Sequence, residues 1–340
     1  MNQITELKLK LDQPKSIVIL SHRNPDGDAI GSSLAVYHYF INKGHSVKVI
    51  VPSEYPSFLS WMPNVQDIVI YDIDKEMSEY LIVNANVIFC LDFNSIDRID
   101  RMGEFVVSNT SATKILIDHH LYPENFTDYL FSDTSASSTC EMVYDFLRDL
   151  DSPFAITPLI GDCLYTGMVT DTGSFKYATS PKLFRTVANL LEIGVDDYRI
   201  QQLIFNQLPA KSLRLLGYCL YKRMQILEEF HTGIISLSRK DFEVFNIQRG
   251  DTEGIVNYLL TLKEVKLAIL VTEQPNNIVK LSLRSKGDLS AQEIARAHFN
   301  GGGHKNASGG HSFMHLNNTI AKIKEILPLY KQKIIQSKGY

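Results

Sequence analysis

Short apolar runs alternate with longer amphipathic stretches through the first half of the chain. Ser16–Leu20 (S-I-V-I-L), Ser46–Val51, Ile68–Tyr71, Asn86–Leu91 and Lys114–Ile117 are brief and rich in β-branched or other apolar residues. Each predicts a buried strand. Ala29–Asn42 has a helical period and stops at Lys43-Gly44, an ordinary helix C-terminus. Ser138-x-x-Glu141 has the pattern of a capping box and opens a helix to about Leu150. Thr157–Thr170 and Pro181–Ile193 predict two more helices. Strands alternating with helices predict an α/β fold, a doubly wound parallel-sheet N-terminal domain over residues 1–195.

The pattern changes after that point. Asp196–Leu216 is polar and helical in period, and it predicts a connector. Beyond it, Gly233–Leu237, Val265–Thr272 and Asn277–Arg284 predict strands, while Ile255–Leu262 and Ala291–Phe299 predict helices. Residues 217–340 are thus expected to form a smaller α+β C-terminal domain. The tail after Asn317 predicts a helix with lysines on its outer face.

Composition narrows the class. Hydrophobic residues make up 44% and charged residues 21% of the 340 positions, a mix that supports two ordinary globular cores. No apolar run approaches the ~18–20 residues that cross a bilayer, and the first ten residues lack the apolar centre of a signal peptide. Cys90, Cys140, Cys163 and Cys219 are scattered without a C-x-x-C pair, which fits buried thiols in a reducing cytoplasm rather than a thiolate metal site. Net charge is −4, too acidic for a long-duplex binder, whose contact face is strongly basic. Through Leu190 there are 24 acidic and 14 basic side chains, against 14 and 20 from Leu191 onward. The acidic half suits cations and the basic half suits an anionic substrate.

Chemistry-bearing residues sit where strands end. His22-Arg-Asn-Pro-Asp26-Gly-Asp28 follows the first strand, Asp92 follows the fourth, and Asp118-His119-His120 follows the fifth. Asp171-Thr-Gly follows the helix ending near Thr170. In an open parallel sheet the carboxyl ends of the strands line one crevice, so segments distant in sequence converge there. Converging carboxylates repel one another unless cations lie among them. A His/Asp set without cysteine favours Mn²⁺, Fe²⁺, Co²⁺ or Mg²⁺ over structural zinc. Two such ions about 3.5–4 Å apart can activate water and steady an in-line attack at phosphorus. The Pro25-Asp26-Gly27 turn is expected to bend the chain so that Asp26 and Asp28 face different ions.

H-x-x-P-D-G-D-A-I-G-S, a lone Asp after a buried strand, D-H-H and T-D-T-G-S-F, in that order, resemble the DHH phosphoesterase superfamily. The resemblance implies two divalent metal ions, with Mn²⁺ first and Mg²⁺ or Co²⁺ as substitutes. His22, Asp26 and Asp92 would hold one ion. Asp28, Asp92, His119 and Asp171 would hold the other, Asp92 bridging. Asp118 would orient a histidine, and His120 would face the substrate phosphate or leaving group.

Ser282-Leu-Arg284-Ser-Lys286 and Asn300-Gly-Gly-Gly-His304-Lys-Asn-Ala-Ser-Gly-Gly310 resemble the DHH-associated C-terminal domain. Its glycine loop usually reads G-G-G-G-H-x-x-A-A-G, so Asn300 and Ser308 depart from the pattern. Bare glycine lets backbone N–H groups approach an anion, which makes Gly301, Gly302 and Gly303 substrate-binding candidates. Arg284 can clamp a phosphate in bidentate fashion, with His304 as a further donor.

Length and layout resemble the stand-alone two-domain members of the superfamily. These degrade very short RNA and dephosphorylate 3′-phosphoadenosine 5′-phosphate (pAp). That resemblance implies a cytoplasmic enzyme acting on short single-stranded RNA or a small nucleotide, without membrane or long-duplex partners, with a homodimer as one expected assembly. A hydrolase of cyclic or linear dinucleotides shares every motif. A nucleotide-binding protein without catalysis would have lost a metal ligand, and none of the expected ligands is missing.

Overall fold

The apolar runs of the first half do assemble into one sheet. In the computed structural model, which describes residues 3–151, 155–207, 209–248, 250–274 and 278–338, the strands are β1 (Ser16–Leu20), β2 (Ser46–Val51), β3 (Val69–Ile70), β4 (Val87–Leu91), β5 (Thr113–Asp118) and β6 (Tyr129–Ser132). Their order is β3-β2-β1-β4-β5-β6, and every neighbouring pair is parallel. β4 is buried along its whole length because helices cover both faces. The intervening helices are α1 (Gln3–Lys10), α2 (Gly27–Asn42), α3 (Lys75–Val83), α4 (Met102–Ser108), α5 (Thr139–Leu150), α6 (Pro158–Asp171), α7 (Pro181–Glu192) and α8 (Asp197–Phe205). Ile17, Ile19, Phe89 and Ile115 pack with residues of α2, α5 and α6 on one face. Val18, Leu20, Ile88 and Leu116 pack with residues of α3 and α4 on the other.

Strand order reverses between β1 and β4, which lie side by side in the sheet. At such a switch point the connections leave to opposite faces and open a crevice at the carboxyl ends. The loops carrying His22 and Asp92 both begin there. Ser21 Oγ ties the two strand ends together by donating to the Leu91 carbonyl at 2.9 Å.

The second unit, Leu208–Tyr340 by compactness against Met1–Gln207 for the first, has its own mixed sheet. The division falls inside the stretch read as a connector, where α8 ends the first unit and α9 (Ala210–Tyr218) opens the second. Strands β7 (Met224–Leu227), β8 (Thr232–Leu237), β9 (Leu267–Glu273), β10 (Val279–Ser285), β11 (Gly302–Gly303) and β12 (Ala307–Ser312) lie in the order β11-β12-β10-β9-β8-β7. Only β8 and β9 run parallel among the described pairs. The helices are α10 (Arg239–Phe245), α11 (Ile255–Leu259), α12 (Ala291–His298) and α13 (Leu316–Gln336).

Several expectations need correcting. The strand expected over Ile68–Tyr71 shrinks to β3, since only Val69 and Ile70 pair, with Ile50 and Val51 of β2. The stretch expected as a glycine loop contains β11 and β12, because β12 pairs with β10 and β11 with β12, a ladder that glycine's low strand preference does not suggest. Helix α2 starts at Gly27, so Asp28 lies in its first turn and Asp26 is its N-cap rather than part of a free turn. At α5, Ser138 accepts from the Glu141 N–H at 3.1 Å, but the Glu141 carboxylate caps Ser137 at 2.8 Å. The capping box is thus displaced by one residue. Asn277, the expected start of the third strand of the second unit, lies outside the described residues. No helix among the described residues is long and apolar enough to cross a membrane, and all four cysteines are free and buried.

Helices α2 and α6 touch closely enough that Gly31 cannot carry a side chain without movement. A Cβ there would lie 2.5 Å from the Cys163 carbonyl oxygen, a backbone atom that cannot swing away. Gly31→Ala is therefore expected to cost about 1–3 kcal/mol through overpacking. Denaturant titration of the purified variant measures this, and an unchanged midpoint would show that the seam is looser than described.

Candidate metal centre

Each side chain of the crevice is aimed by a local contact. His22 leaves β1 with Nδ1 2.9 Å from the Arg23 carbonyl. A carbonyl only accepts, so Nδ1 carries a proton, and Nε2 faces the carboxylate oxygen Asp92 Oδ2, 3.3 Å away. His119 follows the same logic. Its Nδ1 lies 3.3 Å from the Ala136 carbonyl. Its Nε2 faces Asp171 Oδ2 at 3.4 Å, Asp92 Oδ1 at 3.7 Å and Asp28 Oδ2 at 3.9 Å. A histidine held through one nitrogen with the other turned into a carboxylate cluster is the arrangement of a metal ligand.

The carboxylates are held by backbone amides. Asp26 Oδ1 accepts from the N–H groups of Asp28 at 3.0 Å and Ala29 at 3.1 Å, which commits one oxygen to the cap. Asp28, 1% exposed, accepts from Thr139 N–H at 2.6 Å and Cys140 N–H at 2.8 Å. It therefore sits on the positive N-terminus of α5. Asp92, 2% exposed, has φ 64°, the left-handed region that Asp tolerates better than most residues. Thr139 Oγ1 donates to its Oδ1 at 3.0 Å. Asp171 is the last residue of α6 and remains half-buried.

Two groups emerge whose ligand atoms all lie within 4.8 Å of one another: His22 with Asp26 and Asp92, and Asp28 with His119 and Asp171. A third such group, Asp92 with Asp118 and His120, contains a hydrogen bond already made, His120 Nδ1 to Asp118 Oδ1 at 2.7 Å. Asp118 is fully buried, and the contact fixes the ring of His120 rather than that of His119. The expected set of the first unit thus comes together in one crevice. Thr139 and Cys140 were not among the expected residues. Their contribution is mostly backbone, and the only signal in the sequence was the N-cap pattern just before them.

Burial and mutual repulsion set the protonation of the cluster. Burial, with Asp92 adding its charge, raises Asp28 to about 7. Burial would also raise Asp92, but His22, His120 and His119 around it outweigh that and hold it well below the usual carboxylate range. Burial opposes a charged His22, yet Asp92 and Asp26 draw it above its ordinary value. His119 is likewise raised, by Asp28 and Asp92 acting against burial.

In the second unit, Arg284 and the hairpin lie on adjacent strands, with Arg284 opposite Ala307. The hairpin closes through reciprocal bonds between the backbones of His304 and Ala307, at 2.8 and 3.2 Å. Gly301 must be bare, since a Cβ would meet the Gly309 carbonyl oxygen at 2.1 Å, whereas Gly302 opens onto free space. Gln292 Nε2 donates to the Gly303 carbonyl. Asn300, the departure from the usual glycine, has φ 46°, which asparagine adopts readily. Lys286 of the same motif is structural: its Nζ donates to the Leu262 carbonyl at 2.7 Å.

Residues 16–168 match the DHH family, N-terminal domain, and residues 242–332 match the DHHA1 domain. The chain belongs to the DHH family. A crystal structure of an exopolyphosphatase-related protein from Bacteroides fragilis is 37% identical, with a TM-score of 0.94, covering 99% of this chain and 98% of that one. A Streptococcus mutans serotype c protein named probable bifunctional oligoribonuclease and PAP phosphatase NrnA is 28% identical, over 92% of this chain and 94% of its own length. The cyclic-di-AMP phosphodiesterase PdeA of Listeria monocytogenes is 25% identical over 93% of this chain but only 46% of its own length.

A cation entering this DHH cluster must displace protons from Asp28, held up to about 7, and from the raised His22 and His119. Binding of Mn²⁺ is therefore expected to release protons and to tighten as the medium goes from about pH 6 to about pH 8. Calorimetric titration in buffers of unlike ionisation enthalpy checks this. A pH-independent affinity without proton release would contradict it.

Proposed function

We propose that this chain is a divalent-metal-dependent phosphoric ester hydrolase that cleaves short oligoribonucleotides to mononucleotides and pAp to AMP. The observation that carries the reading is the pair of three-ligand groups meeting at Asp92, which lies in one group and 3.7 Å from His119 of the other. The similarity to NrnA of Streptococcus mutans over nearly the full length of both chains supports the substrate class.

The donor set fits two hard cations. His22, Asp26 and Asp92 would hold one, and Asp28, His119 and Asp171 the other, with Asp92 serving both. Carboxylates and imidazoles without thiolate suit Mn²⁺, with Mg²⁺ or Co²⁺ as substitutes. When bound, such ions supply Lewis acidity that polarises the phosphoryl group and makes water a stronger nucleophile.

The chain's own residues do the rest. Asp118 accepts the Nδ1 proton of His120 at 2.7 Å and so sets which nitrogen faces the substrate. From that position His120 steadies the phosphoryl oxygens or gives the leaving oxygen a proton. Asp28 is held in both oxygens by the amides of α5, so it cannot rotate away when the charge in the crevice changes. In the second unit Arg284 provides a planar two-pronged donor for an anionic end of the substrate, with the Gly301–His304 segment as a further contact surface, where Gly302 opens onto free space.

A timed panel with Mn²⁺ tests the substrate class: pAp, RNA of two to twenty-four nucleotides, cyclic-di-AMP and pyrophosphate. Turnover of pAp and of the shortest RNA is expected, with kcat/KM falling beyond about five nucleotides, the length that the family resemblance implies. Faster, processive digestion of the longest RNA would overturn the reading, and preference for cyclic-di-AMP would move it to a different diester. Asp92→Ala is expected to remove at least one metal per chain and to lower turnover by at least about a hundredfold, since even indirect partners of a metal site carry that much. Elemental analysis beside kinetics decides it, and near-normal activity would sink the assignment of Asp92 to both ions.

A further inference from the structure

Strand β10 sorts its side chains strictly by face. Leu281 and Leu283 enter the apolar core, so Lys280, Ser282 and Arg284 project from the opposite face. Lys280 is exposed there and Arg284 half-buried. The register of β12 brings His311 opposite Lys280, Gly309 opposite Ser282 and Ala307 opposite Arg284. Gly302 of β11 pairs in turn with Gly309. Between the Arg284 end and the Lys280 end, β10, β12 and β11 therefore present only Ser282, Gly309 and Gly302 on this face.

The Lys280 end is chemically different from the rest. Phe313, just past β12, is 73% exposed, and its ring stands 5.2 Å from that of His311 at 79°. An aromatic ring left this open, beside an imidazole and a cation on one sheet face, has the components of a stacking platform for a single-stranded base. About 13 Å of strand separates Lys280 from Arg284, a span longer than one phosphate-to-phosphate step of a nucleic-acid strand. A group held at Lys280 therefore belongs to a nucleotide beyond the one held at Arg284. The positive character of the chain after Leu190 agrees with an anionic occupant.

We propose that Phe313, His311 and Lys280 form a distal subsite for single-stranded RNA, Phe313 stacking a base and Lys280 holding a phosphate. The subsite rests on the short-RNA reading above and deepens it. It serves substrates longer than two nucleotides and lies out of reach of pAp bound at Arg284. Phe313 and Lys280 thereby set how the enzyme ranks its substrates by length.

The test is the ratio of kcat/KM for a pentanucleotide to that for pAp, measured on the full Mn²⁺-loaded protein. Phe313→Ala is expected to lower this ratio about tenfold, the size of a lost base–aromatic stack, and Phe313→Trp to preserve it. Lys280→Ala is expected to make the log–log salt dependence of pentanucleotide kcat/KM shallower by about 0.7, one phosphate contact on a single strand. If the unaltered protein cleaves the pentanucleotide and Phe313→Ala leaves the ratio unchanged, the subsite is refuted while the short-RNA reading stands. If the unaltered protein cleaves no RNA, both fall. If Phe313→Ala instead disperses a dimer in sedimentation and leaves the ratio unmoved, the patch is a contact between copies and the proposal fails.

Discussion

Two buried carboxylates, Asp28 and Asp92, face the same crevice, and most of the first unit is arranged around that fact. Two like charges in a poorly solvated site repel by several kcal/mol even at an effective dielectric near 20. The N-terminus of α5 offsets part of this at Asp28, but a helix end contributes only about 0.3–2 kcal/mol. The imidazoles of His22, His119 and His120 offset more at Asp92, which is why that carboxylate is the one that stays ionised. Asp28 instead keeps its proton to about 7. The cluster therefore balances its charge with bound protons, which an entering cation would replace.

That requirement reaches into the backbone. Asp92 occupies a left-handed conformation, which costs a non-glycine residue on the order of 1 kcal/mol or more. The turn is pinned by the Asp92 N–H to the Ile117 carbonyl at 3.2 Å and by the Ser21 stitch between strand ends. The glycine seam between α2 and α6 draws the end of α6 toward the start of α2, and so brings Asp171 beside a residue more than a hundred positions earlier. A bulkier seam would separate the helices and with them Asp28 from Asp171.

Which parts of this were legible in the sequence follows from which forces are local. Val87–Leu91 reads as a strand because a fully buried strand must be apolar throughout, and His22 or Asp118–His120 reads as a site because it follows such a run. Asp28 was expected in a turn rather than in the first turn of α2, since Pro25-Asp26-Gly27 satisfies both a free turn and a helix start, and the choice depends on the cap that Asp26 makes. Strands β11 and β12 were hidden because glycine carries no strand signature, and the pairing of β12 with β10 and of β11 with β12 decides their state. Helices α3 and α4 were missed because each buries few residues. Thr139 and Cys140 were invisible for a different reason. A backbone N–H that grips Asp28 leaves no mark on residue identity, so only the capping pattern at Ser138 announced that a helix N-terminus was present.

The S-L-R-S-K segment shows how the fold assigns work to similar residues. Arg284 and Lys286 are both cations two positions apart, and spacing alone does not separate them. β10 ends at Ser285, and beyond it Lys286 turns back so that its ammonium meets the Leu262 carbonyl, while burial lowers its affinity for a proton. It is thereby spent on tying the end of β10 to the loop after α11. Arg284, still inside the ladder, is held to the open face by the alternation that sends Leu283 into the core. The anion-binding role proposed for this motif then falls to the residue whose direction the sheet fixes. Its guanidinium is also the group whose charge no ordinary environment removes, so a half-buried strand face can hold it without losing the property that makes it useful.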